Sequence, residues 1–147
     1  MPIVNYPFRT HSAFSTPKPF LPIVITNPDN GFTFLTWAVI DTGADTSAIP
    51  EFIGKKLGHS ITAVKAETHS GIGGDAKAYY HRAQIEVLAI DSQGNVIDDN
   101  VLITVKRKIA IIPELRVTIL GENDFLKHYL LTVDYPKQIF SLNKPTS

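Results

Sequence analysis

Between Phe20 and Leu142 the chain is cut by clusters of turn formers into β-branched and aromatic runs, most of them too short for a stable helix. Residues 20–26 and 32–40 flank Asn27-Pro28-Asp29-Asn30-Gly31, which predicts a β-hairpin. Residues 62–68 and 76–90 flank a second turn rich in glycine, and further strands are expected over 96–105, 109–112 and 115–120. A closing hairpin is expected from 131–135 and 138–142 around Pro136-Lys137. Two short helices interrupt this pattern. One covers 51–57, opened by Pro50 and stopped by Gly58; the other covers 122–130, with apolar residues at 125, 126, 129 and 130 and acids in its first turn. The segment 1–19 holds four of the ten prolines and no sustained periodicity, and reads as an extended N-terminal arm. The expected fold class is therefore all-β, a single domain over 20–147 preceded by the arm.

A length of 147 residues and a hydrophobic fraction of 44% suit one domain with its own core and leave no room for a second of full size. Fourteen basic side chains balance fourteen acidic ones, which argues against nucleic acid as a partner. The absence of cysteine removes disulfides, thiol catalysis and thiolate metal sites. No apolar run reaches the roughly 18 residues of a membrane span, and the first residues lack the pattern of a secretory signal. A cytoplasmic protein without a membrane partner is the expectation.

The chemistry concentrates after residue 40. Asp41-Thr42-Gly43-Ala44-Asp45-Thr46-Ser47 is a polar loop between an apolar strand and the pair Ala48-Ile49. Asp41 leaves the sheet at the strand's end, Thr42 offers a hydroxyl beside it, and Gly43 lets another backbone come close. A tight turn in which the Asp caps its own backbone satisfies the same three residues.

The stretch from Trp37 to Ile49 resembles the active-site signature of the retropepsin-like aspartic proteases. Three more parts of that family's pattern stand in order. Gly71-Ile72-Gly73-Gly74 lies about thirty residues downstream, where the family has its flap, Ile119-Leu120-Gly121 matches the element that crosses beneath the catalytic loop, and the helix expected from Glu122 follows it as the family's C-terminal helix does. The resemblance extends over 20–142. It implies a closed, barrel-like acid-protease fold, assembled as a homodimer because this chain carries one Asp-Thr-Gly where the reaction needs two carboxylates. It also implies an aspartic endopeptidase that needs no cofactor and no metal and acts on polypeptides in extended conformation. Asp41, Thr42 and Gly43 would form the catalytic loop. Gly43, Ala44, Asp45, Gly71, Ile72, Gly73 and Gly74 would line the substrate, and Ile119, Leu120 and Gly121 would support the loop. Asp45 stands where the family often has an acid tied to an arginine, but Glu122 occupies the arginine's usual place, so Arg9 or Arg116 would have to serve. Ala44 lacks the hydroxyl of a serine, which implies a less acidic optimum. A dimer that keeps the fold without turnover, serving as a peptide-binding or scaffold module, is the alternative.

Other residues carry weaker chemistry. His11, His59, His69, His81 and His128 have no metal-ligand spacing and are expected at the surface or at the flap edge. The GIGGDAK stretch at 71–77 lacks the Ser or Thr and the helix of a phosphate loop, and neither Ser47 nor Ser70 sits in a nucleophile elbow. Lys106-Arg107-Lys108 is expected to be a solvated strand end or loop, Asp98-Asp99 an exposed turn, and Trp37 a core or dimer contact.

Overall fold

The computed structural model describes residues 3–61, 64–71 and 74–145. Ten strands follow the chain in order: β1 (Ile3–Pro7), β2 (Phe20–Thr26), β3 (Thr33–Ile40), β4 (Ala48–Pro50), β5 (Glu67–Gly71), β6 (Gly74–Ile90), β7 (Val96–Ile112), β8 (Thr118–Leu120), β9 (Leu130–Asp134) and β10 (Ile139–Asn143). The helix α1 (Glu51–Lys56) follows β4. Six strands run in the order β2-β3-β8-β4-β7-β6, and the pairing of β2 with β6, from Ile23 opposite Val87 to Thr26 opposite Gln84, closes them into a barrel. Closure matches the expectation and removes the free edges that an open sheet would expose.

The first hairpin forms as its turn chemistry predicts, β2 against β3 from Phe20 opposite Val39 to Thr26 opposite Thr33. Strand β2 is apolar on both faces because it serves two clusters. Leu21, Ile23 and Ile25 enter the main core with Phe125 and Phe140, while Phe20 joins a smaller cluster with Val39, Ala44, Ala48 and Ile119. Helix α1 ends where expected. Gly58 adopts φ +77°, and the side-chain amides of Asn27 and Asn30 donate to the Leu57 carbonyl at 2.9 and 3.0 Å. The hairpin turn thus caps the helix, supplying donors for a carbonyl the helix leaves unpaired.

The residues from Ile3 onward are docked against the rest of the chain. Strand β1 pairs with β10, which pairs with β9, giving a three-stranded sheet beside the barrel. Ile3 is fully buried, Tyr6 packs edge-on to Phe140, and the Tyr6 hydroxyl accepts a hydrogen bond from the Ile90 amide at 3.3 Å. Arg9 lies 3.8 Å from the Trp37 ring centroid and donates to the Gly94 carbonyl at 3.4 Å, pinning the arm to the barrel wall through a cation–π contact.

Five expectations are corrected. Residues 122–130 form turns and one 3-10 segment, Leu126–His128, instead of an α-helix. The amides of Leu126 and Lys127 bond five residues back, to Gly121 and Glu122, and those of His128 and Tyr129 three residues back, so no α-helical repeat becomes established before β9 begins at Leu130. Nine residues are too few to pay for helix nucleation by themselves. The cations 106–108 do not interrupt the sheet. Strand β7 runs unbroken through them because β6 supplies a continuous ladder, Arg82 opposite Lys108 and Gln84 opposite Lys106, with the three side chains exposed. Asp98 and Asp99 also lie inside β7, in the bulge between the pairs Leu88–Val101 and Ala89–Ile97. The strand expected over 115–120 is shorter, Thr118–Leu120, and the one expected from 62 begins at Glu67, with 62 and 63 outside the described residues.

Candidate functional site

Strand β8 lies between β3 and β4, the two strands that the Asp41 loop connects. It runs parallel to β3, with Val39 opposite Ile119 and Ile40 opposite Leu120, and antiparallel to β4, with Ala48 opposite Ile119. The loop must therefore arch over the end of β8, and Ile119, Leu120 and Gly121 pass between its two limbs.

Both limbs are tied to what passes between them. The Asp41 amide donates to the Leu120 carbonyl at 3.0 Å. On the far limb the Gly121 amide donates to Ser47 Oγ at 2.9 Å, Ser47 Oγ donates to Asp124 Oδ1 at 2.8 Å, and the Ser47 amide donates to both Asp124 oxygens at 2.8 and 3.1 Å. Across the middle, the Glu122 amide donates to the Ala44 carbonyl at 2.9 Å and the Asn123 amide to the Asp45 carbonyl at 2.8 Å. Gly121 is required here for space. A Cβ at this position would overlap the Thr46 backbone, 2.6 Å from its carbonyl oxygen and 2.9 Å from the Ser47 nitrogen.

Asp41 is half-buried, with Thr42 and Gly43 exposed beside it. Its Oδ1 accepts the Gly43 amide at 3.0 Å, so the carboxylate does cap its own turn, and that bond also sets the direction in which the carboxylate faces. A recess of about 240 Å³, of mixed polar and apolar lining, opens beside Asp41 and Thr42, walled by Phe14 and Lys18 of the arm and by Leu131, Val133 and Tyr135. Ala44 turns its methyl group into the smaller core cluster, 5% exposed, so only its backbone faces the loop's partners. Asp45 is exposed, and neither ion pair among the described residues, Lys55–Glu51 or Arg82–Asp29, includes it. Arg9 is engaged with Trp37 instead, and Arg116 is exposed without an ion pair to Asp45.

The glycine-rich hairpin is a separate region. Strands β5 and β6 pair from Glu67 opposite Ala78 to Gly71 opposite Gly74; Ile72 and Gly73 lie outside the described residues. Among the described residues strand β5 ends the sheet order and has β6 as its one strand neighbour. At the stem, His81 of β6 meets His59, which follows α1. The rings are 4.4 Å apart with planes at 35°, and both Nε2 atoms are shielded without a hydrogen-bond partner among the described residues. Burial pushes both imidazoles below their ordinary value of 6.5; for His59 the proximity of His81 adds to this and Asp29 opposes it. Among the described residues no cluster of three or more His, Asp or Glu could hold a metal ion.

Sequence reasoning brought together the Asp41 loop and Ile119-Leu120-Gly121 but missed Ser47 and Asp124. Asp124 was expected to face the start of a helix, and its distance from Ser47 along the chain, 77 residues, hides the link. The only available signal was a buried-type position filled by serine directly before Ala48-Ile49.

No family model matches the chain. No curated protein matches it either. Among solved structures it is similar to a retropepsin-like aspartic protease from Rickettsia conorii, at 19% identity and a TM-score of 0.50, with 97% of each chain covered. It also aligns with EIAV protease in complex with the inhibitor HBY-793, at 22% identity and a TM-score of 0.38, covering 81% of this chain and 92% of that one. The closed barrel, the loop arched over β8 and the end-to-end alignment with the rickettsial structure agree, and the chain has the retropepsin-like fold.

Proposed function

We propose that the protein is an aspartic endopeptidase whose active site is shared by two copies of the chain. The observation that carries this reading is the placement of Asp41. It is half-buried at the end of β3, oriented by the Gly43 amide and braced on β8, in a chain with a single Asp-Thr-Gly. One such loop supplies one carboxylate, and the second would come from an identical subunit across a two-fold axis. Leu130 and Tyr135, 57% and 68% exposed, leave apolar surface at and just beyond the edge strand β9, and Tyr135 also walls the recess beside Asp41. That surface supports a second copy as its cover.

In the assembled pair the two Asp41 carboxylates would share one proton, since like charges this close do not both ionise cheaply. The ionised member takes a proton from a water between them, the water attacks the scissile carbonyl, and the protonated member stabilises the oxyanion before the amine leaves with a proton. Thr42 would bond the partner loop and hold the carboxylates coplanar, and the Gly43 carbonyl would accept a substrate amide. The β5–β6 hairpin would act as the flap, adding main-chain hydrogen bonds to an extended peptide.

Two measurements test this. Sedimentation of the purified protein is expected to show a dimer. Incubation with a denatured protein substrate across mildly acidic pH is expected to give cleavage by the wild type and none by Asp41→Asn. Equal cleavage by both proteins overturns the mechanism. A dimer that binds peptides but leaves them intact would establish the binding module in its place.

A further inference from the structure

We propose that Asp124 is the positioning residue of the Asp41 loop, and that it locks the loop within each protomer before two copies meet. The inference rests on the aspartic-protease reading for its catalytic consequence, and on intrachain geometry for the lock itself.

Donor and acceptor capacity makes the arrangement directional. Ser47 is 1% exposed, so its hydroxyl has no access to bulk water. The hydroxyl has one proton to give; it accepts from the Gly121 amide at 2.9 Å and gives its proton to Asp124 at 2.8 Å. The Ser47 amide points at the same carboxylate, bonding both oxygens. Two donors converge on residue 124, and an ionised carboxylate accepts both without offering a proton of its own. Such charge-assisted bonds are about twice as strong as neutral ones. Neither ion pair among the described residues involves Asp124, so its charge is matched here by these donors.

The ordinary explanation for an acid at this position is a helix N-terminus. That explanation fails on the observed backbone, where 122–125 are turns and only Leu126–His128 is helical, as a 3-10 segment. Asp124 is instead aimed across the chain at the end of the catalytic loop. The resemblance implies a tie between Asp45 and an arginine after Ile-Leu-Gly; this chain has Glu122 there and no ion pair at Asp45. The same task, fixing the loop's outer limb to the segment after β8, falls to Asp124 through Ser47. Both residues belong to one chain, so the loop needs no partner to be ordered.

Asp124→Asn tests the assignment, because it keeps the shape while placing an amide N–H against one of the two donors. Hydrogen exchange of the 41–47 segment and steady-state cleavage are both read. The segment is expected to exchange faster in the variant, and kcat to fall about tenfold or more with KM little changed, since substrate contacts are left alone while the reacting groups lose alignment. Wild-type protein, measured at concentrations above and below dimer dissociation, is expected to protect the segment equally. Wild-type exchange and kcat in Asp124→Asn overturn the positioning role. Protection that appears only in the dimer overturns the lock within each protomer. If Asp124→Asn does not fold, Ser47→Ala removes the hydroxyl alone and is held to the same two readouts. If the wild type cleaves nothing, the protease reading fails, while the exchange measurements still decide the lock.

Discussion

The loop at Asp41 and the hairpin ending in Gly71 and Gly74 are both short, polar, glycine-bearing turns, yet they are held in opposite ways. The loop is tied at both limbs and across its middle to residues 120–124, with a serine and a carboxylate closing its far end. Among the described residues the hairpin is held by its own ladder and by Ala76 and Ala78 at its base, which join the smaller core cluster, and β5 pairs with no strand but β6. Its stem rests on two imidazoles whose Nε2 atoms bond to nothing among the described residues. A segment braced on three sides opens only with the structure around it, whereas one braced by a single ladder opens locally. Groups that must be placed to fractions of an ångström belong on the first kind of support, and groups that must admit and release a ligand belong on the second.

The largest expected effect attacks the braced side. Gly121→Ala places a methyl group against the Thr46 backbone, which has no rotamer by which to yield. The expected cost is roughly 3 kcal/mol or more, the upper end for overpacking, measured as a lowered urea midpoint together with loss of cleavage. A variant with wild-type stability would mean that the loop is looser than its hydrogen bonds indicate. Next in size is the contrast itself. Amides of Ser47 and Gly121 are expected to exchange at least about tenfold more slowly than those of β5, and equal rates would erase the distinction.

The smallest effect concerns the hairpin's stem and has a definite sign. His59 and His81 both have folded-state values below the ordinary imidazole 6.5, from burial first. The native state therefore binds fewer protons than the unfolded chain near that pH, and the stability contributed by the neutral pair is present above about 6.5 and lost as pH falls through the folded-state values. Asp29, which opposes the shift at His59, is shared with Arg82 at 3.0 Å and weakens the effect. Between pH 7 and 5 the wild-type Tm is expected to fall more than that of His81→Phe, which keeps a ring against His59 and removes one charge and its repulsion. Parallel curves for the two proteins would separate the pair from any role in acid sensitivity.

Local chemistry made much of this readable in advance. Asn27 to Gly31 and Pro136-Lys137 are turns by composition, and the strands on either side pair as expected. Pro50 and Gly58 bracket α1 for reasons confined to a few residues. The errors came where neighbours in space override neighbours in sequence. The apolar spacing of 125, 126, 129 and 130 is helical, but Phe125 and Leu126 are buried by the barrel and the following strand cuts the segment short. The run 106–108 looks like a break because three adjacent cations disfavour a strand, and β6 overrides that by pairing with all three.

At the site the division is the same. The residues themselves determined that an aspartate, a hydroxyl and a glycine stand together at a strand's end, because that depends on chain order and on turn preferences within a few positions. Only the tertiary structure decided what keeps the aspartate in place. Strand β8 enters between β3 and β4 from far along the chain, and Asp124 reaches Ser47 across 77 residues. Hydrogen bonds and excluded volume act over a few ångströms of space, and no local preference of serine or aspartate records which distant partner the fold will bring within that range.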